Sequence, residues 1–248
     1  MGAARVISIG DVLADAVRRL AAAGVPEPRA DAEVLLAHVL GTARTALVAG
    51  ARDPFPSGVA AAFAALVDRR TAREPVHYLV GEREFWSLPF VVDRRVLVPR
   101  PETETLVETA LRLGAGACRV LDVCTGSGAV AAVLARELRG ARVWASDVDP
   151  DALAVARTNV ARHAPRVALV RADLLAGFRL AAFDLVVANP PYVAESHFPG
   201  IAPEVRDWEP RVALAAGADG LALLRRLVAD APRVLVRGGW LVVEMSAG

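Results

Sequence analysis

The residues with the clearest chemistry are Asn189-Pro190-Pro191-Tyr192. Each proline fixes its own φ and lacks an N–H donor. Each also pushes the residue before it toward extended backbone. Asn189 and Pro190 are therefore held extended and offer two oxygens, the Asn189 side-chain carbonyl and the Pro190 main-chain carbonyl. A planar amide nitrogen is a poor nucleophile because its lone pair is delocalised. Acceptors placed on both N–H groups of an –NH2 aim that nitrogen at an electrophilic methyl group and stabilise the positive charge developing on it. No strong base is needed before transfer, since the methylated cation loses its proton easily. Tyr192 is suited to pack against the planar target. The bland alternative is a Pro-rich loop with Asn as a turn former. Against it stands the preceding run Phe183–Ala188, which reads as a buried strand leading straight into the tetrapeptide.

A second constellation lies upstream. Val120–Val123 reads as a strand that turns through Cys124-Thr125-Gly126-Ser127-Gly128 into a helix. Gly126 and Gly128 allow close backbone approach to a ligand and backbone angles closed to other residues. Val143–Ser146 ends in Asp147, 19 residues beyond Gly128. A carboxylate there can accept from both hydroxyls of a ribose. A third strand ends at Asp173-Leu174, placed to flank an adenine ring. Gly126, Gly128 and Ala131 also satisfy the dinucleotide fingerprint G-x-G-x-x-G/A. From these residues alone, a nicotinamide dinucleotide and S-adenosylmethionine both stay open. Asp122 can orient the glycine loop or a cofactor amino group. Asp149 and Asp151, beside Pro150, read as helix-start acids.

The elements that position these groups fall into two kinds. Ile9, Val12, Leu13, Ala16, Val17 and Leu20 repeat at helical spacing, with Ser8 as N-cap and Asp11 at the capping-box position. Further helices are predicted over Pro28–Leu40, Thr45–Ala49 and Ser57–Arg73, the last ended by Pro75. Residues 1–75 thus form a small helical domain. Phe85–Val92 and Val96–Val98, separated by Asp93-Arg94-Arg95, predict a hairpin linker over 76–98. Residues 99–248 alternate. A helix over Glu102–Leu113 precedes strands at Arg119–Val123, Arg142–Ser146, Val167–Ala172, Phe183–Ala188 and Trp240–Met245. Helices fill Gly128–Arg139, Asp151–His163 and Gly220–Leu235. This alternation predicts an α/β, Rossmann-like domain with a mostly parallel sheet and its ligand site at the carboxyl ends of the strands.

With both motifs in place, the chain resembles the class I S-adenosylmethionine-dependent methyltransferases that modify –NH2 groups. A further stretch narrows this. Gly81-Glu82-Arg83-Glu84-Phe85-Trp86-Ser87-Leu88-Pro89-Phe90 and Val96-Leu97-Val98-Pro99-Arg100-Pro101-Glu102-Thr103-Glu104 look like the signature of protein-(glutamine-N5) methyltransferases. Arg73–Gly81, Glu204-Val205 and Trp208-Glu209-Pro210 match that family too, and the likeness spans nearly the whole chain. Within the family it is most similar to the peptide chain release factor glutamine methyltransferases. The resemblance implies cofactor contacts from Cys124, Thr125, Gly126, Ser127, Gly128, Asp147, Asp173, Leu174 and Asn189. It implies catalysis by Asn189 and Pro190, and substrate binding by Asn189 through Tyr192. The implied substrate is the glutamine of the Gly-Gly-Gln loop in class I release factors, held in part by the N-terminal helices. Cys124 stands where many relatives have glycine. The family continues past the fifth strand with a helix and an antiparallel strand pair. The domain ending at Gly248 is therefore expected to lack that pair, exposing a sheet edge, and a chain longer by about 30 residues is expected to melt higher.

Composition sets outer limits. The 248 residues carry 54% hydrophobic and 23% charged side chains, enough for a sizeable core. Net charge is +1, every basic residue is arginine, and no DNA-wrapping excess of positive charge is present. No direct nucleic-acid partner and no membrane partner are expected, and a monomer is. Without signal-peptide order or an apolar membrane-length run, the expected compartment is the cytoplasm. His38, His77, His163, His197, Cys118 and Cys124 show no ligand spacing, so no metal is expected. Arg100 is read as positioning substrate or a cofactor carboxylate, or as pairing with Glu102 or Glu104. Phe85 and Trp86 are read as pocket lining or as core. Three alternatives share the motifs: a ribosomal-protein glutamine methyltransferase, a DNA or RNA adenine-N6 methyltransferase, and a non-catalytic cofactor-binding scaffold. The adenine enzyme would require DNA binding without an inserted basic domain, and the scaffold would not need Asn189.

Overall fold

The computed structural model describes residues 7–245. The end at Ser246-Ala247-Gly248, on which the expectation of a missing strand pair turned, lies outside the described residues. The chain forms two compact units divided between Gly81 and Glu82.

The first unit is helical. Helix α1 (Ile9–Ala22) starts at a reciprocal capping box: Asp11 N–H donates to Ser8 Oγ at 3.1 Å and Ser8 N–H donates to the Asp11 carboxylate at 3.1 Å. Helix α2 (Pro28–Leu40) has proline in its first turn and ends at left-handed Gly41. Helices α3 (Arg44–Ala49) and α4 (Ala60–Thr71) follow, the latter after a 3₁₀ turn at Ser57–Val59. Leu20, Leu35, Leu36, Phe63 and Val67 share one buried cluster. Inside this unit Arg70 Nε donates to Asp31 at 2.7 Å, a buried charge pair that ties α4 to α2. A fifth helix, α5 (Val76–Val80), was not expected, because Pro75 reads as a terminator; here proline is instead its N-cap.

The second unit begins with a hairpin, though not the one the sequence suggested. Strands β1 (Glu82–Phe85) and β2 (Leu88–Val91) pair antiparallel around Trp86-Ser87. Both turn residues have positive φ, 53° and 56°, the geometry of the tight two-residue turn that Asn-Gly usually supplies. Two β-prone positions in left-handed backbone carry no sequence signal. Glu104 supports the turn by accepting from the Trp86 N–H at 2.9 Å. Val96–Val98 forms no strand, and the Asp93 turn closes on itself through Val96 N–H to Asp93 O at 3.1 Å.

Helix α6 (Thr103–Leu113) leads into the sheet: β3 (Arg119–Val123), α7 (Ala129–Glu137), β4 (Arg142–Asp147), α8 (Pro150–His163), β5 (Ala168–Arg171), β6 (Phe183–Ala188), α9 (Pro203–Arg206), α10 (Ala222–Val234) and β7 (Leu235–Val243). All five strands run parallel in the order β5-β4-β3-β6-β7. Alternate residues divide the core as the strand period requires. Val120, Leu185 and Val187 face α6, α7 and α8, in one cluster with Val107, Ala110, Leu134 and Val160. Leu121, Val123 and Val186 face α10, in a second cluster with Leu227, Ala231 and Val234. The order reverses between β3 and β6, so their carboxyl ends diverge into a crevice. Strand β7 starts five residues earlier than expected, directly from α10, and its register with β6 shifts between Phe183 and Leu185. Among the described residues no helix is long and apolar enough to cross a membrane.

Candidate active site

A cavity of about 310 Å³ opens where β3, β4, β5 and β6 end. Cys124, Thr125, Gly126 and Ser127 line it after β3, Asp147 at the end of β4, Asp173 and Leu174 after β5, and Asn189 and Pro191 after β6. Gly128, Pro190 and Tyr192 are not among the lining residues.

The β3–α7 loop is built from its own hydrogen bonds. Buried Asp122 accepts from Thr125 Oγ1 at 2.6 Å and from the Ala131 N–H at 3.2 Å, joining the strand to the first turn of α7. Asp147 accepts the Gly126 N–H at 2.9 Å. Gly126 has φ +52°, and a side chain there would meet nothing within 4 Å. Its backbone is open to a ligand. Gly128 serves a different purpose: with φ +80°, an added Cβ would stand 3.2 Å from the Ala156 Cβ on α8. That glycine allows α7 to approach α8 rather than a ligand. Cys124 also has positive φ, 59°, a conformation that glycine adopts at least strain. Burial pushes its thiol pKa up, so it stays protonated and unreactive. Asn159 of α8 fixes the loop from behind, donating to the Ser127 carbonyl at 2.8 Å and the Val91 carbonyl at 2.9 Å.

The catalytic candidate is held in one orientation. Asn189 Nδ2 donates to Glu244 Oε1 at 2.9 Å and to Thr103 Oγ1 at 3.3 Å. Reversing the amide would set its oxygen against a carboxylate, acceptor to acceptor. Oδ1 is therefore the end left for a ligand. Burial raises the Glu244 carboxyl above the ordinary glutamate range, against the lowering effect of Thr103 and Asn189. The chain beyond β6 is tied down by Val193 N–H to Leu214 O at 2.9 Å and Ala216 N–H to Val193 O at 3.0 Å.

Arg100 lines the cavity, but its partner is neither Glu102 nor Glu104. Its Nη2 donates to both oxygens of Glu209 at 2.7 Å. Glu209 is buried, and this pair bridges the segment before α6 to the segment after α9. Phe85 does line the cavity, whereas Trp86 packs against the core. Asp149 caps α8, accepting from the Asp151 N–H at 2.8 Å. Asp173 pairs with Arg226 at 2.6 Å on the exposed rim.

Burial raises the Asp122 carboxyl to about 7, against the lowering effect of its Thr125 and Ala131 hydrogen bonds. A carboxyl with a raised folded pKa binds its proton more tightly folded than unfolded. Its contribution to stability is complete below the ordinary aspartate pKa and disappears as pH rises through about 7. Urea unfolding at about pH 5 and about pH 8 is expected to show this loss in the wild type and a smaller one in Asp122→Asn, which keeps an acceptor without a charge. Equal losses in the two proteins would remove Asp122 as the source.

Known proteins fit this arrangement. Residues 11–81 match the PrmC N-terminal domain family, and residues 102–203 match the methyltransferase small domain family. The release factor glutamine methyltransferase of Geobacter sulfurreducens is 43% identical over 229 residues, 92% of this chain and 81% of that protein. Those of Cereibacter sphaeroides and Deinococcus radiodurans are each 44% identical, over 96% and 97% of this chain and 85% and 86% of their own lengths. The chain belongs to the release factor glutamine methyltransferase family. Its second unit is a class I methyltransferase domain with the five-stranded parallel sheet described above.

For this family member, sequence reasoning pointed to the two loops whose residues line the cavity, Gly128, Pro190 and Tyr192 excepted, and gave no role to the side chains that hold them. Glu244, Glu209 and Asn159 lie 55, 109 and 68 residues from the groups they fix. Glu209 was legible as part of the Trp208-Glu209-Pro210 segment, and Glu244 as an acid closing an apolar run, as Asp147 closes its own.

Proposed function

We propose that this chain transfers a methyl group from S-adenosyl-L-methionine to the side-chain amide nitrogen of the glutamine in the Gly-Gly-Gln motif of class I peptide chain release factors. The observation that carries the reading is the fixed amide of Asn189, whose Oδ1 is free to accept while its Nδ2 is bound twice. One N–H of a target –NH2 bonds to that oxygen, and the Pro190 carbonyl accepts the other. Together they orient the nitrogen and stabilise the charge it gains. Tyr192 stacks on the planar target.

The donor set of the cavity suits S-adenosylmethionine better than a dinucleotide. Asp147 and Asp149 line it with backbone N–H groups as partners, while its two arginines are engaged with carboxylates, Arg100 with Glu209 and Arg95 with Asp93. Carboxylates favour a ligand with sulfonium and ammonium charges and oppose a pyrophosphate. When bound, the cofactor supplies an electrophilic methyl group. Asp147 accepts from the ribose, Leu174 flanks the adenine, and the open backbone at Gly126 admits the amino-acid portion. The helical unit helps to hold the protein substrate, and the enzyme works as a cytoplasmic monomer.

Mass spectrometry of class I release factors and ribosomal proteins incubated with the protein and labelled S-adenosylmethionine tests the reading. One added methyl on the Gly-Gly-Gln glutamine is expected. Methylation confined to a ribosomal protein or to an adenine would replace it. Calorimetry should register S-adenosylmethionine and its demethylated product, and no nicotinamide dinucleotide.

A further inference from the structure

Glu244 directly follows β7, outside both sequence motifs, yet it touches the residue on which the chemistry turns. Its Oε1 accepts from Asn189 Nδ2 at 2.9 Å. Its Oε2 is buried without a hydrogen-bond partner. A buried carboxylate oxygen without a partner is costly and calls for an explanation, which the orienting contact to Asn189 supplies. Thr103, the second acceptor for Nδ2, cannot fix the amide alone, because a hydroxyl can either donate or accept. With Thr103 alone, Asn189 could turn over and present its NH2 to the cavity. A carboxylate accepts only, so the Glu244 contact permits one orientation.

We propose that ionised Glu244 is the positioning residue of this site: it fixes the Asn189 amide so that Oδ1, not Nδ2, meets the target nitrogen. The proposal rests on the amide-methylation reading for its kinetic consequence but not for the contact itself. Protonation converts the carboxyl into a possible donor to Oδ1 and removes the selection. Burial, with Glu102 adding like charge, favours that protonation; Thr103, Asn189 and Arg100 oppose it. Tyr192 also faces Glu244, with its phenol raised mainly by burial. Turnover therefore falls on the acid side as Glu244 takes up its proton.

The sequence contains only two asparagines, Asn159 and Asn189, and no glutamine. Selective ¹⁵N-asparagine labelling therefore gives two side-chain amide signals, and the buried Asn159 serves as internal reference. In the full chain, the Asn189 signal is expected to shift with pH through one titration that Glu244→Gln abolishes, while Asn159 stays constant. Single-turnover methylation at saturating cofactor is expected to fall about tenfold in Glu244→Ala, with cofactor affinity kept. Glu244→Gln, which like the protonated carboxyl can donate to Oδ1, should stay near the reduced rate at every pH and lose the part of the acid limb due to Glu244. Limbs due to Asp122 and Asp147 remain in both proteins. An Asn189 signal that ignores both pH and Glu244→Gln overturns the proposal, as does an unchanged acid limb in an active Glu244→Gln enzyme. If the Asn189 signal titrates as expected but no glutamine is methylated, the positioning contact stands and the substrate reading falls.

Discussion

Asn189→Ala is expected to lower single-turnover methylation of a Gly-Gly-Gln release factor by about 10²–10³, or roughly 2.7–4 kcal/mol of transition-state stabilisation. The substitution deletes Oδ1, the acceptor that survives once Nδ2 is committed to Glu244 and Thr103. The target nitrogen then keeps only the Pro190 carbonyl, and one of its N–H groups is unpaired as positive charge develops. The same change strips Glu244 of its hydrogen bond from Asn189. Cofactor affinity and folding stability must therefore be measured beside the rate. Asn189→Asp separates the contributions. It keeps an oxygen toward the substrate but places a second carboxyl 2.9 Å from Glu244, where the two must share a proton. Its rate is expected to become strongly pH-dependent and its cofactor affinity to change. Near-normal single-turnover rates in Asn189→Ala would end the amide-orientation mechanism.

How far the sequence reached follows from the range of each interaction. Strands Arg119–Val123 and Phe183–Ala188 have the expected bounds, because an unbroken apolar run buried on both faces leaves its trace in consecutive residues. The two loops after them were legible for the same reason: Gly126 and the paired prolines act on their own backbone. The shape of the hairpin was not, because Trp86-Ser87 adopts left-handed geometry without Gly or Asn and depends on Glu104, 18 residues on. Gly128 was half legible. Its positive φ is the kind the motif implies, but its missing side chain makes room for Ala156, a contact only the packed structure contains. Arg100 illustrates the limit most clearly. Neighbouring acids at 102 and 104 were the obvious partners, and the chain instead brings it Glu209 from 109 residues away. Local sequence specifies the chemistry offered at each strand end; side chains far along the chain specify how rigidly it is offered.

Gly220 is the least conspicuous of these distant supports and should be among the most sensitive. From sequence it reads as the first residue of a helix. In the structure it precedes α10 with φ +76°, and a Cβ there would lie 2.5 Å from the Tyr192 carbonyl oxygen and 3.1 Å from the Ala194 nitrogen. Both obstacles are backbone, so no side chain can swing aside. Gly220→Ala is expected to cost about 1–2 kcal/mol for the left-handed conformation and about 1–3 kcal/mol for the forced displacement. The segment displaced is the tetrapeptide itself. A shift near 1 Å at a reacting group can cost about 10²-fold in rate, so turnover should fall by that order in molecules that remain folded. Gly217→Ala is the control. It has φ +81°, but its added Cβ would meet only the side chain of Ala222, at 3.3 Å. It should lose stability through strain while keeping most of its single-turnover rate. Urea midpoints and single-turnover rates for the two variants separate strain from displacement. If both lose stability equally and neither loses rate, the contact between Gly220 and the Tyr192 carbonyl has no part in holding the catalytic loop.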